Sequence, residues 1–222
     1  MKDKPMIQLR SLLKNKTNID FQDKQGLSAL HFATILGKKK LVKLLIDKGA
    51  DIHLKDKNGK DALINACIHG HQDIINILIE AGAEIEGRYS HKQTPLIVAA
   101  ANNHPAIVKR LIDKQADITA RDNKGWTALM HGIQISNLEI VKLLIKAGAN
   151  INTKDNEGWT PLMVAVGQKN TALVKFLIQN KANISARNHD GLTPLHIAGI
   201  YNHRKILNVL FKYGGDNFNR DL

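Results

Sequence analysis

Apolar residues fall along this chain in a pattern that returns every 33 positions. Leu30, Leu63, Leu96, Leu129, Leu162 and Leu195 hold one place in the period, and Leu45, Leu78, Leu111, Leu144, Leu177 and Leu210 hold another. Around the second set, apolar residues come at helical spacing, as in Ile140, Val141, Leu144 and Ile145. That is one stripe of an amphipathic helix. Two residues ahead of the first set stand Ser28, Asp61, Thr94, Thr127, Thr160 and Thr193. All are N-cap residues, whose side-chain oxygen can accept an unpaired amide hydrogen of the first helical turn. Pro95, Pro161 and Pro194 follow in three copies, at a position that needs no amide hydrogen.

Each period therefore predicts a short helix of about ten residues from its cap, a turn, a second helix and an extended loop. The first helix is expected to stop where Gly37, Gly70, Asn103 or Asn202 can turn left-handed, and the second near Gly49, Gly82, Gly148 or Gly214. One such helix pair leaves an apolar face open, so neighbours must stack to close the core. Full periods start at residues 23, 56, 89, 122, 155 and 188 and fill residues 23–222 as one elongated domain. Residues 1–22 read as half a period, with Pro5 opening a capping helix whose core face carries Leu9, Leu12 and Leu13.

The copies differ at informative places. Lys92 stands where the others have Gly26, Gly59, Gly125, Gly158 and Gly191, so the loop at Tyr89–Lys92 is expected to be distorted. Gln115 and Lys181 likewise replace the glycine that follows the second helix.

The segment at 188–196, Asn-x-x-Gly-x-Thr-Pro-Leu-His, and the Gly-Ala-Asp-Ile of Gly49–Ile52 resemble the ankyrin repeat. The resemblance covers residues 23–220 directly. It implies an all-α ankyrin-repeat solenoid, built of stacked helix-turn-helix units of 33 residues with extended finger loops. It also implies a protein–protein interaction scaffold that meets its partner on the concave side, through the finger tips and the inward face of the first helices. Placed on this sequence, that surface holds Trp126, Trp159 and Leu192 on the fingers, and Ile135, Gln168, Ile200 and Tyr201 on the helices. Arg121, Lys154 and Arg187 stand at the same edge. Interface anchors favour Trp, Tyr and Arg, and both tryptophans of the chain fall here, one repeat apart.

Charge adds a competing reading. The chain carries a net charge of +12. The copy at 56–88 opposes this, with six carboxylates against Lys57, Lys60 and Arg88. Lysines such as Lys43, Lys109, Lys142 and Lys175 decorate second-helix outer faces, where Lys43–Asp47 and Lys109–Asp113 have the spacing of helical ion pairs. A basic row, Lys55, Arg88, Arg121, Lys154, Arg187 and Arg220, closes the six periods. It reads either as a local partner of the acid that follows, as in Lys55-Asp56, or as a ladder for a partner with an acidic patch. The same ladder makes polyanion or nucleic-acid binding the alternative function, which scarce aromatics (5%) and the lack of a nucleic-acid motif argue against.

Enzyme signatures are missing: no phosphate-binding glycine loop, no dinucleotide fingerprint, no His-Glu-x-x-His and no Gly-x-Ser-x-Gly. The chain reads as a non-enzyme without cofactor or metal, or as the targeting fragment of a larger enzyme. Cys67 occupies a first-helix place held elsewhere by Thr34, Ala100, Ile133, Val166 and Gly199, which makes it a small buried thiol. One cysteine and a polar N-terminus, Met-Lys-Asp-Lys-Pro, fit a cytoplasmic monomer with no membrane segment. Richness in Lys, Asn and Ile fits an AT-rich coding source, such as a bacterial effector delivered into a host cell. The apolar last helix, with Phe211, and the Phe218 beyond it call for a cover, either the 217–222 tail, a further repeat or self-association.

Overall fold

The structure is a computed structural model that describes residues 18–214. The capping helix expected around Pro5–Leu13, Arg220, and the tail with Phe218 lie outside them. The described residues are all-α, with no strand and one isolated bridge, Tyr89 to Gln93. The described residues form two compact units that divide between residues 117 and 118.

The first unit holds α1 (Ala29–Ile35), α2 (Lys39–Asp47), α3 (Ala62–His69), α4 (Gln72–Glu80), α5 (Pro95–Ala101) and α6 (Pro105–Asp113). The second holds α7 (Ala128–Gln134), α8 (Leu138–Lys146), α9 (Pro161–Gly167), α10 (Thr171–Gln179), α11 (Pro194–Ile200) and α12 (Arg204–Gly214). Within each unit the first helices stack on one another, and each packs against its own second helix. The cores follow the sequence pattern. Leu30, Leu63 and Leu96 are buried with Leu45, Leu78 and Leu111 in the first unit, and Leu129 and Leu162 with Leu144, Leu177 and Leu210 in the second. Leu195 is only half-buried. Cys67 is fully buried, and burial pushes its thiol pKa well up, as an inert core residue requires.

The first helices are seven or eight residues long, shorter than the expected ten. Each starts at its cap, where Ser28, Asp61, Thr94, Thr127, Thr160 or Thr193 accepts the amide of the third helical residue. Each is stopped by a left-handed residue nine positions after the cap: Gly37, Gly70, Asn103, Ser136, Lys169 and Asn202. Gly70 is needed twice over. Its φ is +76°, and a Cβ there would meet the His104 imidazole at 2.5 Å. That imidazole bonds the Ile68 carbonyl at 3.1 Å, and His71 does the same for Ile35 at 3.2 Å. These turn histidines thus tie their repeats to carbonyls at the end of the preceding first helix.

The fingers are shaped by one carboxylate. Asp23, Asp56, Asp122 and Asp155 each accept, on Oδ1, the amides two and four residues on, at 2.8–2.9 Å. One main-chain bond then links neighbouring fingers: Lys57 N to Gln25 O in the first unit, Asn156 N to Lys124 O and His189 N to Glu157 O in the second, all at 3.0 Å. The third finger is re-routed. His91 and Lys92 are both left-handed within a short 3-10 turn, and the Ser90 hydroxyl donates to Asn58 O at 2.6 Å. The Lys43–Asp47 and Lys109–Asp113 pairs do not close. Lys39 instead pairs with Asp73 of the next repeat, and His131 meets Asp122 through a hydrogen bond. An exposed helical pair is worth too little to hold two long side chains in one geometry.

Candidate partner-binding site

The basic row has a different task from either sequence reading. Arg121 Nε donates to Gly125 O at 3.0 Å, and its Nη2 donates to Lys154 O. Lys154 Nζ donates to Arg187 O at 2.8 Å, and Arg187 Nη1 to Gly191 O at 3.1 Å. In the first unit Arg88 does the same for Lys92 O, at 3.0 Å. Gln22, one period before Lys55, reaches Gly26 O at 2.6 Å and Lys55 O at 2.9 Å. A neutral amide fills the position as well as a cation, so the place demands a long donor rather than charge. These donors satisfy carbonyls that the tight finger turns leave unpaired.

In the second unit the fingers and first helices enclose a groove of about 590 Å³. Its aromatic walls are Trp126, Trp159 and Tyr201, with Gln134 and Gln168 from the ends of α7 and α9. Asn123, Lys124, Asp155, Asn156 and Glu157 form the finger side, over a floor of Val164 and Gly167. Of the residues expected from sequence, the groove brings together Trp126, Trp159, Gln168 and Tyr201. It leaves Leu192, Ile135 and Ile200 out, and Arg121, Lys154 and Arg187 do not line it. The rim is therefore not basic: Lys124 shares the lining with two carboxylates, Asp155 and Glu157.

The two tryptophans are held differently. Trp126 is half-buried, donates its indole N–H to Asp155 Oδ2 at 2.9 Å, and meets His131 edge-on at 5.2 Å. His131 in turn donates Nε2–H to Asp122 Oδ2 at 3.0 Å. Burial lowers its pKa below the ordinary 6.5 although Asp122 pulls the other way, so the imidazole is neutral at pH 7. Trp126 is thus a fixed wall. Trp159 has no such carboxylate in front of it, because the next finger begins with Asn188. Among the described residues its indole N–H has no acceptor. Its ring lies over Gly167, whose added Cβ would touch the indole Cζ3 at 3.8 Å.

Gly167 is a residue that sequence reasoning passed over, although the signal was present. Other copies carry Ile35, Ile68, Ala101, Gln134 and Ile200 at this place. The missing side chain opens the groove beside Trp159. Asn123, Lys124, Asp155, Asn156 and Glu157 were also missed, as ordinary polar finger residues.

The family model described as Ankyrin repeats (3 copies) matches residues 7–89, 85–155 and 137–221. A search among curated proteins finds no match. Among solved structures, the ankyrin repeat domain of Bcl-3, a unique member of the IkappaB protein family, is similar at 27% identity and a TM-score of 0.78. The alignment covers 94% of each chain. Among the described residues, no helix is long and apolar enough to cross a membrane. With the repeat pattern, the capped helix pairs and the family match in agreement, the chain belongs to the ankyrin-repeat family.

Proposed function

We propose that this chain is a protein-binding scaffold, acting by capture rather than catalysis, and that the groove of the second unit takes an extended segment of the partner. The observation that carries this reading is Trp159: an indole whose N–H lacks an acceptor among the described residues, lying over a glycine, in a groove that also presents four side-chain amides. Amide side chains donate and accept as a peptide main chain does, so Gln134, Gln168 and Asn156 suit an extended backbone. The two indoles and Tyr201 supply the apolar anchor surface that interfaces favour. Because Lys124 is set against Asp155 and Glu157, the groove selects a segment with an apolar anchor and balanced charge. The acidic partner suggested by the basic row finds no support at this groove.

The test uses a partner captured on the full chain. Trp159→Ala should weaken binding by roughly 2 kcal/mol or more, as hot-spot tryptophans do. Gly167→Gln, which installs the residue that the preceding repeat carries at Gln134, should block the groove by filling it. Lys142→Ala with Lys175→Ala, on second-helix outer faces, should leave affinity unchanged. If the lysine pair abolishes binding while the Trp159 and Gly167 variants bind normally, the reading fails.

A further inference from the structure

A second cavity, of about 550 Å³, lies in the same unit, at the turns that join the paired helices of the last two repeats. Lys169, Arg204 and Lys205 line it together with Thr171, Asn202 and His203. No Asp or Glu occurs in residues 167–172 or 201–207. In the first unit Lys39 pairs with Asp73 at 3.0 Å across the equivalent junction, and here those two places hold Thr171 and Lys205. Among the described residues, the side chains of Lys169, Arg204 and Lys205 have no hydrogen-bond or ion-pair partner. Three like charges around one cavity repel one another, and a bound anion relieves that repulsion.

Two further features set this junction apart. His203 is 7% exposed and bonds the Val166 carbonyl through Nδ1 at 3.0 Å. His71 and His104 use Nε2, and bond the carbonyl one position later in the repeat. His203 thus meets the preceding repeat through its other ring nitrogen and a different carbonyl, and its ring stacks on Tyr201 at 5.7 Å. The 11-residue helix α12 begins at Arg204 with no acidic residue in its first turn, so its positive dipole end is unopposed.

We propose that this cavity binds a compact polyphosphate group, with Arg204 offering its planar fork, Lys169 and Lys205 their point charges, and Thr171 a hydroxyl donor. Such a group comes either from a soluble polyphosphate or from a phosphorylated lipid headgroup. The site stands apart from the groove and does not rest on it.

The experiment titrates the full chain with inorganic triphosphate at physiological ionic strength by calorimetry. In a second arm, the chain is sedimented with phosphatidylcholine vesicles with and without phosphatidylinositol bisphosphate. Saturable 1:1 binding of triphosphate is expected. Lys169→Asn, Arg204→Thr and Lys205→Ala place there the residues that Asn103, Thr171 and Ala172 hold in other repeats, so each variant keeps a side chain the fold already accepts. Each should weaken binding about tenfold, the worth of one charge-assisted hydrogen bond. The control removes equal charge from the basic row by Arg121→Gln, Lys154→Gln and Arg187→Gln, with Gln22 as precedent, and should bind as the parent does. Binding in both arms assigns a headgroup that a membrane can present, and binding of triphosphate alone assigns a soluble ligand. No saturable binding in either arm overturns the proposal, as does equal weakening by the basic-row control.

Discussion

At the scale of the residue, left-handed backbone is what this fold demands most strictly. Gly49, Gly82 and Gly148 end second helices at φ values of +82° to +98°, with open space where a Cβ would be. Gln115 (φ 63°) and Lys181 (φ 68°) occupy the same place without glycine's freedom. An L-residue in this conformation costs roughly 1–2 kcal/mol, part of which glycine returns through its freer unfolded chain. Gln115→Gly and Lys181→Gly should therefore each stabilise the protein by about 0.5–1 kcal/mol, read from the denaturant midpoint. A loss of stability in both would show that the strain is absent. Lys92 is a different case. His91 beside it is also left-handed, so the re-routed finger would not return to the common shape with one glycine. The sequence flagged Lys92 because it displaces a recurrent glycine. Ser136 and Lys169 raised no such flag, since their left-handed backbone is imposed by the next helix and not by their own preference.

At the scale of the element, most of the architecture was legible, because every first-helix start is a local event. The cap side chain and the amide it accepts are three residues apart, and the sequence shows both. First-helix length was misjudged for a similar reason: the left-handed stop lies nine residues from the cap, so two turns are all that fit. What sequence could not show is contact between repeats. The basic row looked like a charge pattern, yet Arg121 reaches the Lys154 carbonyl and Lys154 that of Arg187, each 33 residues on. The groove was half legible for the same reason. Trp126 and Trp159 stood out by type, whereas Gly167 matters only through the indole that packs over it. The second helices carry the clearest energetic expectation. Leu144 and Leu177 are wholly buried, one repeat apart, in the core of the second unit. Truncation to Ala at either should cost about 2–5 kcal/mol, the range for buried leucines whose surroundings collapse incompletely. Thermal melting of the two variants checks it, and a variant that melts with the parent would place that leucine outside the core.

At the scale of the whole molecule, net charge alone is a poor guide to partners. A value of +12 suggests polyanions, yet the copy at 56–88 is acidic, and much of the basic row is spent on carbonyls. Two surfaces of the second unit then differ in kind. The groove balances Lys124 against Asp155 and Glu157 around aromatic walls, whereas the turn cavity sets three cations around one space with no acid among its lining residues. Salt separates them. The attraction between an anion and three exposed cations is screened by salt, so raising monovalent salt from about 50 to 200 mM should weaken triphosphate roughly tenfold. A segment anchored on indoles gains mainly from apolar burial, which added salt leaves nearly untouched, so its affinity should change only about two- to threefold over the same range. Calorimetry of the two ligands in matched buffers makes the comparison, with Gly167→Gln as the internal marker for groove occupancy. Should the protein partner lose affinity as steeply as triphosphate does, its anchor is ionic, and the contact must be sought at the turns and not at the tryptophans.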